Sequence, residues 1–117
     1  MRYYSSMSER VLDDFLGYLA VERGASAHTI SAYGGDLRAY LAHLRDRSSD
    51  PISASRDDVT SFMGSLQSKG MAPSTVERKI AAVKSFHAFL VREGITTNHP
   101  TVDLALPKVP ARLPEVI

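Results

Sequence analysis

The chain has 117 residues, enough for one domain with a single modest core. It contains no cysteine, which excludes disulfides and thiolate metal sites and is compatible with a reducing cytoplasm, where we expect the protein to act. No apolar run approaches the roughly 20 residues that span a membrane, and residues 1–11 lack the apolar centre of a secretory signal. Because 14 Lys and Arg residues face 13 Asp and Glu residues, the net charge is only +1 and any strongly charged partner must meet a local patch.

The first predicted helix runs from about residue 8 to residue 23. Ser8 can cap its first turn, Gly24 ends it, and Tyr3 and Tyr4 would precede it. Apolar residues at helical spacing predict its buried stripe: Val11, Leu12, Phe15, Leu16 and Leu19.

The second predicted helix runs from about residue 27 to residue 45, with Ser26 as its cap. Its expected buried side consists of Ile30, Tyr33, Leu37, Tyr40, Leu41 and Leu44. Gly34 and Gly35 should each cost about 1 kcal/mol relative to alanine within a helix. The outer side is nearly smooth and consists of His28, Ala32, Gly35, Ala39 and Ala42. Either another helix or the backbone of a ligand could pack closely there.

The third predicted helix runs from about residue 56 to residue 68, after a loop that contains Pro51. Ser55 caps it, Asp57 and Asp58 lie in its first turn, and Gly70 follows its end. Its expected buried stripe is Val59, Phe62, Met63 and Leu66.

The fourth predicted helix runs from residue 73 to residue 93, because proline favours the first turn and Gly94 follows the end. Its expected buried side is Val76, Ile80, Val83, Phe86 and Leu90. Its outer side combines small residues with arginines: Ser74, Arg78, Ala81, Ser85 and Arg92. Such a side suits close approach to a phosphate backbone at the edge of a DNA groove, although an ordinary solvated face has the same composition.

Residues 95–117 contain four prolines, at positions 100, 107, 110 and 114, and show no helical period. Prolines at this spacing keep a backbone extended and semi-rigid. We therefore expect a helical domain over residues 1–94, followed over residues 95–117 by a linker toward a further domain.

Catalytic and metal-binding motifs are not found in the sequence. The four histidines lack zinc-ligand spacing, and neither a P-loop nor a dinucleotide-binding glycine motif is present. His87 falls close to the apolar stripe of the fourth helix and is predicted to be a packed core residue. We predict no cofactor and no metal.

The second and fourth helices share a capped or proline-started first turn with hydroxyl side chains, among them Thr29 in one and Ser74 and Thr75 in the other. Free amides and hydroxyls at a helix N-terminus suit phosphate oxygens. Capping alone would explain Ser26 and Ser74 equally well. Arg78 and Lys79 follow one turn further into the fourth helix, and Lys84 two turns further.

Three motifs resemble the N-terminal core-binding domain of tyrosine recombinases, with Xer-type recombinases and phage integrases as the nearest groups. They are S-x-x-T-I-x-x-Y-x-x-D-L at 26–37, P-S-T-V-x-R-K-I-x-A-V-K-x-F at 73–86, and the L-P-K…L-P tail at 106–114. The resemblance covers about residues 8–117.

The resemblance implies an all-α, SAM-like bundle of four to five helices whose second and fourth helices face double-stranded DNA at a recombination half-site. Carried over by position, the DNA contacts would be Thr29, Ser74, Thr75, Arg78, Lys79 and Lys84. The expected partners are DNA, other recombinase protomers and a C-terminal catalytic domain. Because the attacking tyrosine belongs to that domain, the isolated chain should be inert. Two positions depart from the family. Ala72 stands where relatives often have a serine that caps the helix, and Gly34–Gly35 stands where basic residues are common in relatives.

The rival interpretation is a helical protein-interaction module that docks a partner through residues 28, 32, 35 and 39. The low net charge favours it. A stand-alone repressor-like regulator is a third interpretation, which would require dimerisation. Salt separates DNA binding from apolar docking, because only DNA binding releases counterions.

Overall fold

The computed structural model describes residues 3–102, with side chains from residue 7 onward. Within these residues the fold is all-α, as predicted, and consists of four helices: α1 (Tyr3–Val21), α2 (Ala27–Asp46), α3 (Arg56–Ser68) and α4 (Pro73–Arg92). No strand occurs in this part of the chain. The predicted extended tail from residue 103 to residue 117 lies outside the described residues.

The predicted helix boundaries are confirmed for three of the four helices to within a residue. The Ser26 hydroxyl accepts from the Thr29 amide at 3.1 Å, and Ser55 and Asp58 cap each other's amides at the start of α3. Proline begins α4 as expected. Glycines with left-handed φ angles follow three helices: Gly24 at 62°, Gly70 at 81° and Gly94 at 75°.

The start of α1 differs from the prediction. The helix begins at Tyr3, so Ser8 lies inside it and does not cap it, and Tyr3 and Tyr4 belong to the helix. No proline or glycine occurs between residues 3 and 16, and serine is only mildly unfavourable inside a helix. Nothing in the sequence therefore stops the helix before residue 3 is reached.

The predicted apolar stripes converge on one core. Its fully buried side chains include Leu12, Phe15, Leu37, Tyr40, Leu44, Val59, Val76, Ile80, Val83, Phe86 and Leu90. Four stripe residues are only partly buried at its edge: Leu16, Ile30, Tyr33 and Met63. Phe15 of α1 joins the core to α4, because its ring lies 5.5 Å from that of Phe86 and 5.3 Å from that of Phe89.

A polar pair lies inside this core, between α2 and α4. The Tyr40 hydroxyl and His87 Nε2 are 2.7 Å apart, and both side chains are fully buried. The prediction of His87 as a packed core residue is therefore confirmed. Burial lowers the pKa of His87 to about 4, with a smaller effect from the charge of His99, and burial raises the pKa of Tyr40. Both groups are therefore neutral at pH 7.

The segment after α4 folds back onto the loop before α3. The Asn98 side-chain amide donates to the carbonyl oxygens of Ile52 at 3.1 Å and Ala54 at 2.8 Å. Pro100 and Thr101 are buried. The packed part of the chain thus extends beyond Gly94, and the division into residues 1–94 and 95–117 remains a prediction.

His87 should make the fold sensitive to mild acid. Its pKa is about 4 when folded and about 6.5 when unfolded, so its neutral form supports the fold fully above pH 6.5. As the pH falls from 6.5 to 4, His87 becomes protonated in the unfolded chain but stays mostly neutral in the folded chain. This difference lowers the free energy of unfolding by roughly 3 kcal/mol. Urea unfolding at several pH values measures this loss.

The non-titrating variant His87→Gln should lose less unfolding free energy than wild type over the same pH range. His28→Gln is the matched control, because His28 is exposed, and it should behave like wild type. Parallel pH profiles for wild type and His87→Gln would contradict the assignment.

Candidate nucleic-acid interface

Asp36 of α2 joins this helix to α4 through two cations. The Lys79 ammonium donates to Asp36 Oδ1 at 2.6 Å, and Arg78 Nη1 lies 3.5 Å from Oδ2. Asp36 is only 7% exposed, so its charge depends on these partners. Asp36, Arg78 and Lys79 are here called the Asp36 junction.

The contacts between α2 and α4 show how the two helices are arranged. Asp36 of α2 contacts residues 78 and 79 of α4. Tyr40 lies one turn after Asp36 along α2, and its partner His87 lies two turns after Lys79 along α4. Contacts that advance along both helices mean that α2 and α4 run in the same general direction through their contact. Their first turns therefore lie on the same side of it.

Five of the six predicted DNA-contacting residues lie around the Asp36 junction. Thr29 precedes Asp36 by seven residues, which is nearly two full turns, so both lie on one face of α2. Ser74 precedes Arg78 by four residues and Thr75 precedes Lys79 by four, so these pairs are also neighbours on α4. The sixth residue, Lys84, lies about 120° around α4 from Arg78 and is partly buried.

The two cations of the junction differ in exposure. The Lys79 side chain is 19% exposed and its ammonium lies against Asp36, whereas the Arg78 side chain is 55% exposed. A guanidinium has five N–H donors, and the single 3.5 Å contact uses few of them. Arg78 is thus the cation of this pair that can meet a ligand directly.

The hydroxyls near the junction are also placed differently. The Thr29 hydroxyl accepts from the Ser26 hydroxyl at 3.1 Å, within the cap of α2. Ser74 is exposed in the first turn of α4, and Ala72 at the cap position makes no side-chain hydrogen bond. The first turn of α4 therefore has no side-chain acceptor from its cap residue.

The two glycines of α2 differ in their surroundings. Gly34 is buried, and a Cβ there would lie 3.0 Å from the guanidinium of Arg38 on the same helix and 3.5 Å from Leu16 of α1, which is an ordinary packing distance. Gly35 is exposed, and a Cβ there would meet nothing within 4 Å in the described residues. The two alternatives left open by the sequence concern the smooth side of α2 that contains Gly35, and no helix in the described residues packs closely against Gly35.

Sequence reasoning missed the ion pairs of Asp36, although the motif at 26–37 contains this residue. A signal was present in the spacing. Asp36 follows Tyr33 by three residues and precedes Tyr40 by four, so it lies along the buried stripe of α2. A carboxylate in a buried stripe requires a cation on a neighbouring helix.

Arg92, a member of the predicted outer side of α4, turns toward α1. Its guanidinium donates to the Tyr18 hydroxyl at 2.9 Å and lies 4.4 Å from the centre of the Tyr18 ring. Hydrogen bonds from Arg23 and Arg92 hold the pKa of Tyr18 below its usual value. Arg92 therefore joins α1 to α4, and it lies far along α4 from Arg78.

A second polar cluster fixes the turn between α2 and α3. Arg47 donates to Asp58 at 2.7 Å, and the Ser49 hydroxyl donates to the other carboxylate oxygen at 2.9 Å. The hydrogen bond from Arg47, followed by that from Ser55, lowers the pKa of Asp58 to about 2. Because every partner is already paired within the fold, this cluster is structural. The described residues include no group of acidic and histidine side chains suited to a metal ion.

Most of the described chain matches a known family. The model of the phage integrase N-terminal SAM-like domain matches residues 12–94. The chain belongs to this family. The match begins within α1 and continues through α4, including the whole Asp36 junction.

Individual relatives agree with the family. The chain is 36% identical over 113 residues to the tyrosine recombinase XerD of Oceanobacillus iheyensis. The aligned region covers 95% of this chain and 38% of that protein. It is 38% identical over 109 residues to the tyrosine recombinase XerC of Mycobacterium tuberculosis, covering 93% of this chain and 37% of that protein. The chain thus spans little more than a third of the relatives it matches. No solved structure matches it significantly.

The helices in the described part of the chain were also compared with the requirements of a membrane span. None of them combines the length and the apolar character that crossing a bilayer requires.

Loss of Lys79 should destabilise the fold. Lys79→Met removes the closest partner of a buried carboxylate and leaves Asp36 with only the looser Arg78 contact. Breaking such a pair costs about 3–5 kcal/mol when it is fully buried, and we expect about 1–3 kcal/mol for this partly solvated one. Urea unfolding measures the change. Lys69→Met, at an exposed position, is the control, and an equally small effect of both variants would contradict the importance of the pair.

Proposed function

We propose that this chain is the DNA-binding N-terminal domain of a site-specific tyrosine recombinase and positions the enzyme on its recombination half-site. The observation that supports this most is the Asp36 junction, where the exposed guanidinium of Arg78, one turn into α4, contacts Asp36 of α2. Family membership supports the same function, because the relatives are named as tyrosine recombinases.

The proposed DNA-facing surface consists of the outer sides of α2 and α4 on either side of Asp36. Its residues are Thr29, Ser74, Thr75, Arg78 and Lys79, whereas Lys84, about 120° around α4 from Arg78, would meet DNA only beyond the edge of this surface. Phosphate oxygens suit the first-turn amides and hydroxyls, because helix N-termini carry partial positive charge. Arg78 is the residue best suited to a base edge or a phosphate in the groove, because its fork of donors can bind either bidentately.

The smooth side of α2 would let the duplex come close. Gly35 is exposed with open space around it, and Ala39, one turn further along the helix, is also exposed. A helix face without large side chains brings its backbone near a neighbouring surface.

The whole protein, in this proposal, breaks and rejoins DNA through a covalent phosphotyrosine and needs neither a metal nor a nucleotide cofactor. The catalytic residues belong to a C-terminal domain, so this chain alone supplies affinity, orientation and part of the sequence preference but no chemistry. Its partners are double-stranded DNA, its own catalytic domain and other recombinase protomers, in the cytoplasm.

Arg78→Ala should weaken DNA binding. Fluorescence anisotropy with two 30-bp duplexes tests this: one selected by the wild-type chain from a randomised pool, and one of mixed sequence. If Arg78 contacts a base, the selected duplex loses about 1–3 kcal/mol of binding free energy and discrimination falls. If it contacts a phosphate, both duplexes lose a smaller and equal amount, and the salt slope drops by about one.

Arg10→Ala, which removes an exposed arginine of α1, is the matched control and should bind both duplexes like wild type. Unchanged binding of both duplexes by Arg78→Ala would remove this residue from the interface. Binding that does not weaken between about 50 and 200 mM salt would favour the protein-interaction module instead.

Gly35→Leu should separate stability from DNA binding. Leucine has a higher helix propensity than glycine, and a side chain at position 35 would meet no other residue. We therefore expect the free energy of unfolding to rise by about 0.5–1 kcal/mol. The same side chain should keep the duplex away from α2 and weaken its binding. Gly64→Leu on α3 is the matched control, since that glycine is equally exposed and open, and it should stabilise without affecting DNA. Full DNA affinity in Gly35→Leu would mean that the duplex lies elsewhere.

A further inference from the structure

We propose that Asp36 is a positioning residue for DNA recognition: it fixes Arg78 at the DNA-facing surface and cancels the charge of Lys79. This inference rests on the proposed DNA-binding function and deepens it. It gives a role to a carboxylate that would otherwise weaken an anion-binding surface.

The geometry divides the carboxylate between two cations. Oδ1 accepts from the Lys79 ammonium at 2.6 Å, and Oδ2 lies 3.5 Å from Arg78 Nη1. The shorter contact involves the side chain that is 19% exposed, and the longer one involves the side chain that is 55% exposed. Lys79 therefore contacts Asp36 from the buried side. Arg78 is oriented by Asp36 and keeps most of its N–H donors for a ligand.

The charges of the junction determine what a duplex meets. Two cations and one carboxylate leave a single excess positive charge, and the exposed member of the set is Arg78. Attraction to any phosphate backbone is therefore kept small, whereas one guanidinium is drawn toward the Asp36 carboxylate and so favours one direction. A preferred direction favours a particular base edge or phosphate position over others, and that is how such a surface becomes selective.

Two single variants then have opposite expected effects. Asp36→Asn releases one uncompensated cation, so the salt slope of binding should steepen by about 0.9. If the two salt lines meet near 1 M, this is roughly an eightfold gain for the mixed-sequence duplex at 0.1 M salt, with a lower ratio of selected to mixed affinity. Lys79→Gln leaves Asp36 to Arg78 alone, so binding of both duplexes should weaken.

The double variant Asp36→Asn with Lys79→Gln provides the decisive comparison. It restores the single excess charge of the wild-type junction, so its salt slope and its affinity for the mixed-sequence duplex should return to wild-type values. It should not recover full discrimination, because nothing orients Arg78. If Lys79 contacted phosphate itself, removal of Asp36 could not rescue its loss.

The experiment measures anisotropy of the full chain with the selected and the mixed-sequence duplex from 50 to 300 mM salt, after circular dichroism has established that each variant is folded. Asp14→Asn is the control for net charge, because it removes one exposed carboxylate on α1 and should leave both the slope and the discrimination unchanged. If Asp36→Asn does not fold, rescue of Lys79→Gln by the double variant tests the same proposal.

The outcomes separate this inference from the function on which it rests. A steeper slope with lower discrimination in Asp36→Asn, or a double variant that regains mixed-sequence affinity without regaining discrimination, supports a positioning role. An unchanged slope and ratio in a folded Asp36→Asn, while Arg78→Ala weakens binding, overturns that role and leaves the DNA-binding function intact. A wild-type chain that binds neither duplex overturns both.

Discussion

The contact between α2 and α4 determines how the rest of the molecule is arranged, because it contains two polar pairs in an otherwise apolar interface. Asp36 meets Lys79 at 2.6 Å, and Tyr40 meets His87 at 2.7 Å. A buried polar group tolerates few partners, so a rotation or slip of either helix would leave several groups unpaired. The apolar core supplies the driving force for folding, whereas these pairs fix the rotation of both helices. That rotation sets which side chains face outward next to Asp36.

Much of this fold follows from the local sequence. The spacing of apolar residues predicted the buried stripes. The helix starts were predicted from Ser26, Ser55 and Pro73, and the helix ends from glycines. These signals act within a few residues of one another, so a single sequence is sufficient to detect them. The predicted start of α1 was wrong because a serine caps a helix only where the residues before it do not continue the helix. No breaker precedes Ser8, and the helix continues back to Tyr3.

The candidate site was less predictable, because its features depend on residues far apart in the chain. The ion pair of Asp36 with Lys79 spans 43 positions, and the hydrogen bond of Asn98 to Ala54 spans 44. Helical spacing places each residue on a face but does not say which faces meet. The sequence placed Arg78 and Lys79 one turn into α4 without showing which of them meets a carboxylate, whereas the fold separates an exposed arginine from a lysine turned toward Asp36.

The net charge of +1 does not conflict with an anionic partner once the charges are placed in space. Asp13, Asp14, Glu22 and Glu93 border an open groove between α1 and the end of α4. Glu93 follows Arg78 by 15 residues, which is about 22 Å along a helix and more than two screening lengths at physiological salt. Carboxylates at that distance hardly weaken the field at Arg78. Asp36 is the carboxylate that contacts Arg78, and Lys79 offsets its charge, so the balance among the three residues of the junction stays positive while the chain as a whole is nearly neutral.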